Sequence, residues 1–277
     1  MPFDRVCLKE LHIDDDRSLR HIAVYHDLKA LLVASDYRFY TPAGGQSISW
    51  DRAVFLNLTF WNGADGADVL CDDHIAADVV AHVAWHFAVD RELTRSGSPP
   101  EQRRSASALF LAESIASAFD LYLVGRMLVN APESDFITSQ VPLMGEAAAE
   151  AGLSEEEFQS LLEGVSREPE RAFEDLRALL FDVCNELLNC RDSQQADDVL
   201  NRHGDHRFAS LLHHFQLSNW ILYARAYGKS VADEWVARTD AELRAAADSL
   251  AWLSEHWLSS EARNESGAGQ GLSSPLA

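Results

Sequence analysis

Basic residues are scarce in this chain of 277 residues: 23 Lys and Arg stand against 44 Asp and Glu, a formal net charge of −21. A field of that sign repels nucleic-acid phosphates and anionic membrane surfaces, so both partner classes are disfavoured. Cysteine is scarce too. Cys7, Cys71, Cys184 and Cys190 form no CxxC, which argues against a disulfide framework and against a cysteine-rich zinc site. The opening MPFDRVCLKELHIDDDR is acidic and has no apolar run of signal-peptide length, and no later segment offers about 18 uncharged apolar residues. The expectation is a cytoplasmic protein with reduced thiols. A nucleophile elbow GxSxG, a P-loop, a GxGxxG and the ExxH pairs of a di-iron bundle are also missing.

What is present is apolar: 47% of the residues are hydrophobic, enough for one large core or two modest ones. Periodicity of three and four predicts a helix over Ser18 to Ala34, with Ser18 or Asp16 as N-cap. Asp36 to Tyr40 and Ser47 to Trp61 read as strands, a hairpin or part of a small sheet, with a turn at Pro42 to Gly45. NGADGAD follows as a turn; it lacks the closing Glu and the spacing of a calcium loop. Two long helices come next, Cys71 to Leu93 and Ser105 to Val129, separated by the loop TRSGSPPEQRR. After a loop from Asn130 to Pro142, helices are expected at Leu143 to Ala151, Ser154 to Gly164, Pro169 to Leu188, Ala196 to Arg202, Arg207 to Tyr227 and Val231 to Leu258. The fold class is therefore α+β and predominantly α-helical: a small N-terminal β-containing part, two central buried helices and a helical C-terminal half. The expected divisions are 1–130, 131–258 and a disordered Gly/Ser-rich tail, 259–277.

The first long helix carries a row of polar residues, His74, Asp78, His82, His86 and Asp90, at steps of four. Each step drifts by about 40° around a helix, so neighbours in the row share a face. His82 and His86 stand one turn apart, the spacing at which two imidazoles hold one metal ion. On the second helix Glu113 and Asp120 lie seven residues apart, on one face, with Ser117 between them. Two helices joined by a loop of about a dozen residues are expected to pack side by side, which lets Glu113 face both imidazoles. The result is a two-His, one-carboxylate zinc site with an open position, and Asp78 or Asp120 can accept the free N–H of a ligating histidine.

These residues resemble a known family. HVAWH, His82 to His86, is similar to the zinc helix of the zincin metallopeptidases, and FLAESIASAFD, Phe110 to Asp120, is similar to the segment that supplies the third, glutamate ligand in the gluzincin branch, including M1-type aminopeptidases. The resemblance covers roughly Trp50 to Met127. It implies His82, His86 and Glu113 as metal ligands, zinc as cofactor and a peptide or protein as partner. Where the family keeps a glutamate that takes the proton of the attacking water, this chain has Val83, and the interval from His86 to Glu113 is longer than in M1-type enzymes. Valine cannot act as a base, so the resemblance implies a degenerate or inactive metallopeptidase homologue, or one that works through another base such as Asp78. The zincins also take an oxyanion-stabilising donor from their helical half, for which one of His203, His206, His213 and His214 is available, with His214 as the candidate.

Each feature has a plainer reading. The His/Glu cluster can be a polar knot that holds two helices of a non-enzymatic interaction or regulatory protein in register, with Glu113 paired to His82, His86 or Arg126. His203 and His206 can lie in a loop and His213 or His214 at a helix surface. Trp220, Tyr223, Tyr227, Trp235, Trp252 and Trp257 have the spacing of core packing.

Overall fold

The computed structural model describes residues 3–43, 70, 72–97, 105–228 and 233–259. Its elements are β1 (Phe3–Val6), β2 (His12–Asp14), α1 (Ala23–Ala34), β3 (Phe39–Pro42), β4 (His74–Ala76), α2 (Ala77–Arg95), α3 (Ala106–Asn130), α4 (Asp135–Glu150), α5 (Glu155–Arg167), α6 (Pro169–Leu188), α7 (Ser193–Arg202), α8 (Leu217–Tyr227), α9 (Glu234–Ala245) and α10 (Ser249–Leu253). The protein is predominantly helical with a minor β part, as the patterning predicts.

α3 is the axis of the fold. Ser105 caps it by accepting the Ala108 N–H at 3.1 Å, and Phe110, Leu111, Ile115, Phe119 and Leu123 are buried on every side of it. It packs most extensively on α6 and also on α2 and α5. It is long and apolar enough to cross a membrane, and nearly all of that surface is covered by the rest of the protein. Gly125 is required where α3 meets its neighbours: a Cβ there would stand 2.7 Å from the Val165 carbonyl oxygen and 3.1 Å from Pro169 Cβ. The C-terminal turn Ser254–Leu258 folds back onto α1 and α2, where Arg91 donates to the Trp257 carbonyl. Buried apolar residues from Leu8 to Leu258 thereby form one continuous cluster.

The β part consists of two separate pairs. β1 runs antiparallel to β3, with Phe3 opposite Pro42 and Val6 opposite Phe39. β2 runs parallel to β4, with His12 opposite His74 and Asp14 opposite Ala76. The expected strand Asp36 to Tyr40 thus begins later, at Phe39, and its partner is the N-terminal strand. The expected strand Ser47 to Trp61, the NGADGAD turn, most of the loop before α3 and the tail beyond Ser259 lie outside the described residues.

Several boundaries differ from the expected ones for physical reasons. α1 starts at Ala23, because Asp15 takes a left-handed φ of 57° and residues 15–21 form turns. Ser18 donates to Asp15 instead of capping a helix, and Asp16 accepts from Tyr25 and from Lys29 at 2.5 and 2.6 Å. α2 starts at Ala77, which puts His74 on a strand. α4 starts at Asp135 and contains Pro142, because Ser134 caps it through the Ile137 N–H and Phe136 and Ile137 are buried. The expected helix Arg207 to Tyr227 is broken at Gln216, which has a left-handed φ of 50°, and α9 ends where Ala246 turns extended. α6 matches its expected limits, and a capping box of Ser154 with Glu157 opens α5.

Candidate metal centre

Trp85 is fully buried and meets the Phe119 ring edge to face at 5.6 Å, which locks α2 against α3. That packing turns the polar stripe of α2 toward the polar stripe of α3. His82 Nε2 stands 3.9 Å and His86 Nε2 3.6 Å from the same oxygen, Glu113 Oε2. The two imidazole rings lie 5.0 Å apart. One ligand atom from each of the three residues falls within 4.8 Å of the other two. The sequence expectation that helical spacing brings His82, His86 and Glu113 together is met.

His82 is held from its other side. Its Nδ1 lies 3.0 Å from Asp120 Oδ2, and a carboxylate there fixes the tautomer by accepting the Nδ1 proton. The Nε2 lone pair then points toward the Glu113 carboxylate. A proton between that lone pair and the carboxylate, or a metal ion, turns their repulsion into attraction. His86 is the more enclosed imidazole, 11% exposed against 31% for His82, and burial followed by the nearby His82 pushes its pKa well below 6.5. It is therefore neutral at pH 7, the form in which imidazole binds metal.

Asp78, one turn before His82, is raised to about 6 by burial and by the Asp120 carboxylate. His214 lines a cleft of about 450 Å³ with Asp120, Gln140, Glu146 and His213, and burial lowers its pKa against the opposing pull of Asp120. Asp78 and His214 thus both stand close to Asp120, at the edge of the His/Glu cluster. His203 is elsewhere, 3.0 Å from Glu186, and His206 accepts the Phe208 N–H. Arg126 pairs with Glu170 and rests on the Tyr122 ring, so it is not Glu113's counter-ion. Val83, next to His82 in sequence, is 5% exposed and belongs to the core.

One neighbour was invisible in the sequence. Cys184 of α6 is fully buried, and burial together with the Glu113 charge raises its pKa, so the thiol stays protonated. Nothing local in α6 marks it; only the packing of α3 on α6 brings it near the site.

A tetrahedral zinc ion with ligands at 2.0–2.1 Å separates them by about 3.3–3.4 Å along each edge. The 3.6 and 3.9 Å separations fit that figure after side-chain shifts of a few tenths of an ångström. The donor set, two imidazoles and one carboxylate, suits zinc or another first-row transition ion. Comparison with protein-family models, curated proteins and solved structures gives no match.

Proposed function

We propose that this protein is a zincin-like metal-binding protein whose centre is His82, His86 and Glu113, and that it descends from peptidase chemistry it no longer performs. The observation that carries the reading is the convergence of three donors from two helices on one point, with Asp120 orienting one of them. Zinc held there supplies Lewis acidity. Around it, Asp120 fixes the His82 tautomer, burial keeps His86 neutral, and Val83 puts an apolar side chain where the peptidases keep a base. Asp78 and His214 are the titratable groups left near the site, and any residual proton transfer falls to them. The partner is a peptide or protein, and the compartment the cytoplasm.

The test is metal content. Purified full-length protein should carry zinc in proportion to the His82/His86/Glu113 centre, and His86→Ala should abolish that share. Wild type that takes up no zinc at this centre would overturn the reading. Val83→Glu then probes chemistry: if the cleft has peptidase geometry, restoring the carboxylate should create chelator-sensitive peptide hydrolysis. A metal-loaded but inert Val83→Glu protein argues for a binding role alone.

A second reading is favoured by the Asp120 contact, since a doubly protonated His82 between Asp120 and Glu113 completes a metal-free polar knot. In that case the helix pair is the core of an interaction or regulatory protein, and zinc changes neither its content nor its stability through His86.

A further inference from the structure

The parallel pairing of β2 with β4 sets His12 opposite His74, and Asp14, two residues along β2, shares the His12 face. His74 Nδ1 lies 3.0 and 3.1 Å from the two Asp14 carboxylate oxygens. His12 Nε2 lies 3.5 Å from Asp14 Oδ1, and the two imidazole rings meet edge to face at 4.7 Å. Donor atoms from all three residues fall within 4.8 Å of one another. All three side chains are accessible, with His12 67% exposed, His74 49% and Asp14 46%.

We propose that His12, Asp14 and His74 form a second site for a divalent transition-metal ion, separate from the helix-pair centre, which clips β2 to β4, the strand that enters α2. Two of the donor separations, 3.0 and 3.5 Å, bracket the edge of about 3.3–3.4 Å expected around tetrahedral zinc. Imidazole nitrogens favour zinc, nickel or copper over magnesium or calcium, which take oxygen donors. The surroundings are anionic: Asp72 and Asp73 lie close enough to His74 to act on its charge. A cation is drawn to such a place, and solvent access leaves a coordination position for water.

The plain alternative is a surface His–Asp ion pair. It gives Asp14 two partners, His74 at 3.0 Å and His12 more loosely at 3.5 Å, and it leaves the close approach of the two imidazole rings without a ligand to share. An exposed ion pair also adds little to the hold between two three-residue strands. A metal ligated from both strands ties residues 12 and 74 directly, and Ala76 runs into Ala77 of α2 with no intervening loop. The clip therefore fixes the start of the helix that carries His82 and His86.

The site is tested with chelator-stripped full-length protein titrated with zinc chloride by calorimetry, followed by metal analysis after desalting. Wild type, the double variant His12→Ala/His74→Ala and the single variant His86→Ala are compared, with circular dichroism as the folding check. The double variant should lose one zinc equivalent relative to wild type, and the zinc-induced rise in Tm assigned to that equivalent should vanish with it. Binding by the double variant indistinguishable from wild type overturns the proposal. The two centres fail independently: one equivalent kept in His86→Ala and lost in the double variant rejects the helix-pair reading alone, and the reverse pattern rejects the strand clip alone. If the double variant misfolds, the imidazole proton resonances of His12 and His74 in wild type decide; they must shift on zinc addition, and unchanged resonances count against the clip.

Discussion

Asp78→Asn should stabilise the metal-free protein at neutral pH, and the amount follows from where the carboxylate stands. Asp78 lies in the first turn of α2, where its own N–H and that of Val79 favour the anion, yet burial and then the Asp120 charge raise its pKa from 3.8 to about 6. At about 1.4 kcal/mol per tenfold, that difference amounts to about 3 kcal/mol. The folded protein binds this proton more tightly than the unfolded chain does. Its favourable contribution is therefore fully present below pH 3.8 and is lost as pH rises through about 6, above which the ionised carboxylate carries the whole penalty. Asparagine keeps the shape and a side-chain oxygen at the helix start without the charge. Urea unfolding with chelator present should show Asp78→Asn more stable than wild type by about 1–3 kcal/mol at pH 7.5, with an advantage about 2 kcal/mol smaller at pH 4.5. Equal effects at both pH values, or a loss of stability at pH 7.5, would refute the reasoning and mean that the helix terminus and His82 outweigh burial and Asp120.

Two further substitutions test the scaffold. Gly125→Ala presses a methyl group onto the Val165 carbonyl oxygen, backbone that cannot step aside, so it should lower stability by about 1–3 kcal/mol in denaturant titration; the gain that alanine ordinarily brings to a helix interior would show that α3 and α5 can part. Arg177 is fully buried, donating to both Glu174 oxygens at 2.7 and 2.8 Å and to Asp240 at 2.8 Å. Arg177→Ala should cost about 3–5 kcal/mol by stranding those carboxylates, and Arg177→Ala combined with Asp240→Asn should recover part of it; a change under about 1 kcal/mol would mean that Arg244, also bonded to Asp240, already balances the charge.

Helical features were legible because their signals are local. The limits of α6 and the starts of α3 after Ser105 and of α5 after Ser154 depend on residues within a few positions of the groups they act on. The His82/His86/Glu113 convergence needed one step more, the packing of two helices that follow one another along the chain. His74 shows where local reading stops. Its step of four from Asp78 continues a helical row, but the row crosses an element boundary, since His74 is extended and pairs with His12, 62 positions away in the chain. No periodicity encodes a parallel partner at that distance. The break at Gln216 was hidden for another reason: no Gly or Pro marks it, so only the burial of Leu217 and Ile221 against their neighbours decides where the helix restarts. Pro142 misled in the opposite sense, because the Ser134 cap and two buried apolar residues outweigh one missing N–H.

The local charge balance bears directly on what the helix pair is for. Asp78, Glu113 and Asp120 bring three carboxyl groups to a half-buried place shared with His82 and His86, and His86 is held neutral. Three carboxyl groups stand there against two imidazoles, one of them held neutral, an excess of acidic over basic groups. A core selected for stability alone has no use for such an excess, because apolar side chains of similar volume pack the same space at lower cost. A divalent cation between His82, His86 and Glu113 removes the imbalance and also weakens the repulsion that raises Asp78. The two effects are linked: zinc loading through this centre should shrink the stability advantage of Asp78→Asn at pH 7.5, because the wild-type carboxylate then ionises against a positive neighbour. In His86→Ala the advantage should stay the same with and without zinc. An advantage in wild type that zinc leaves unchanged would separate Asp78 from the centre and return it to a purely structural place at the start of α2.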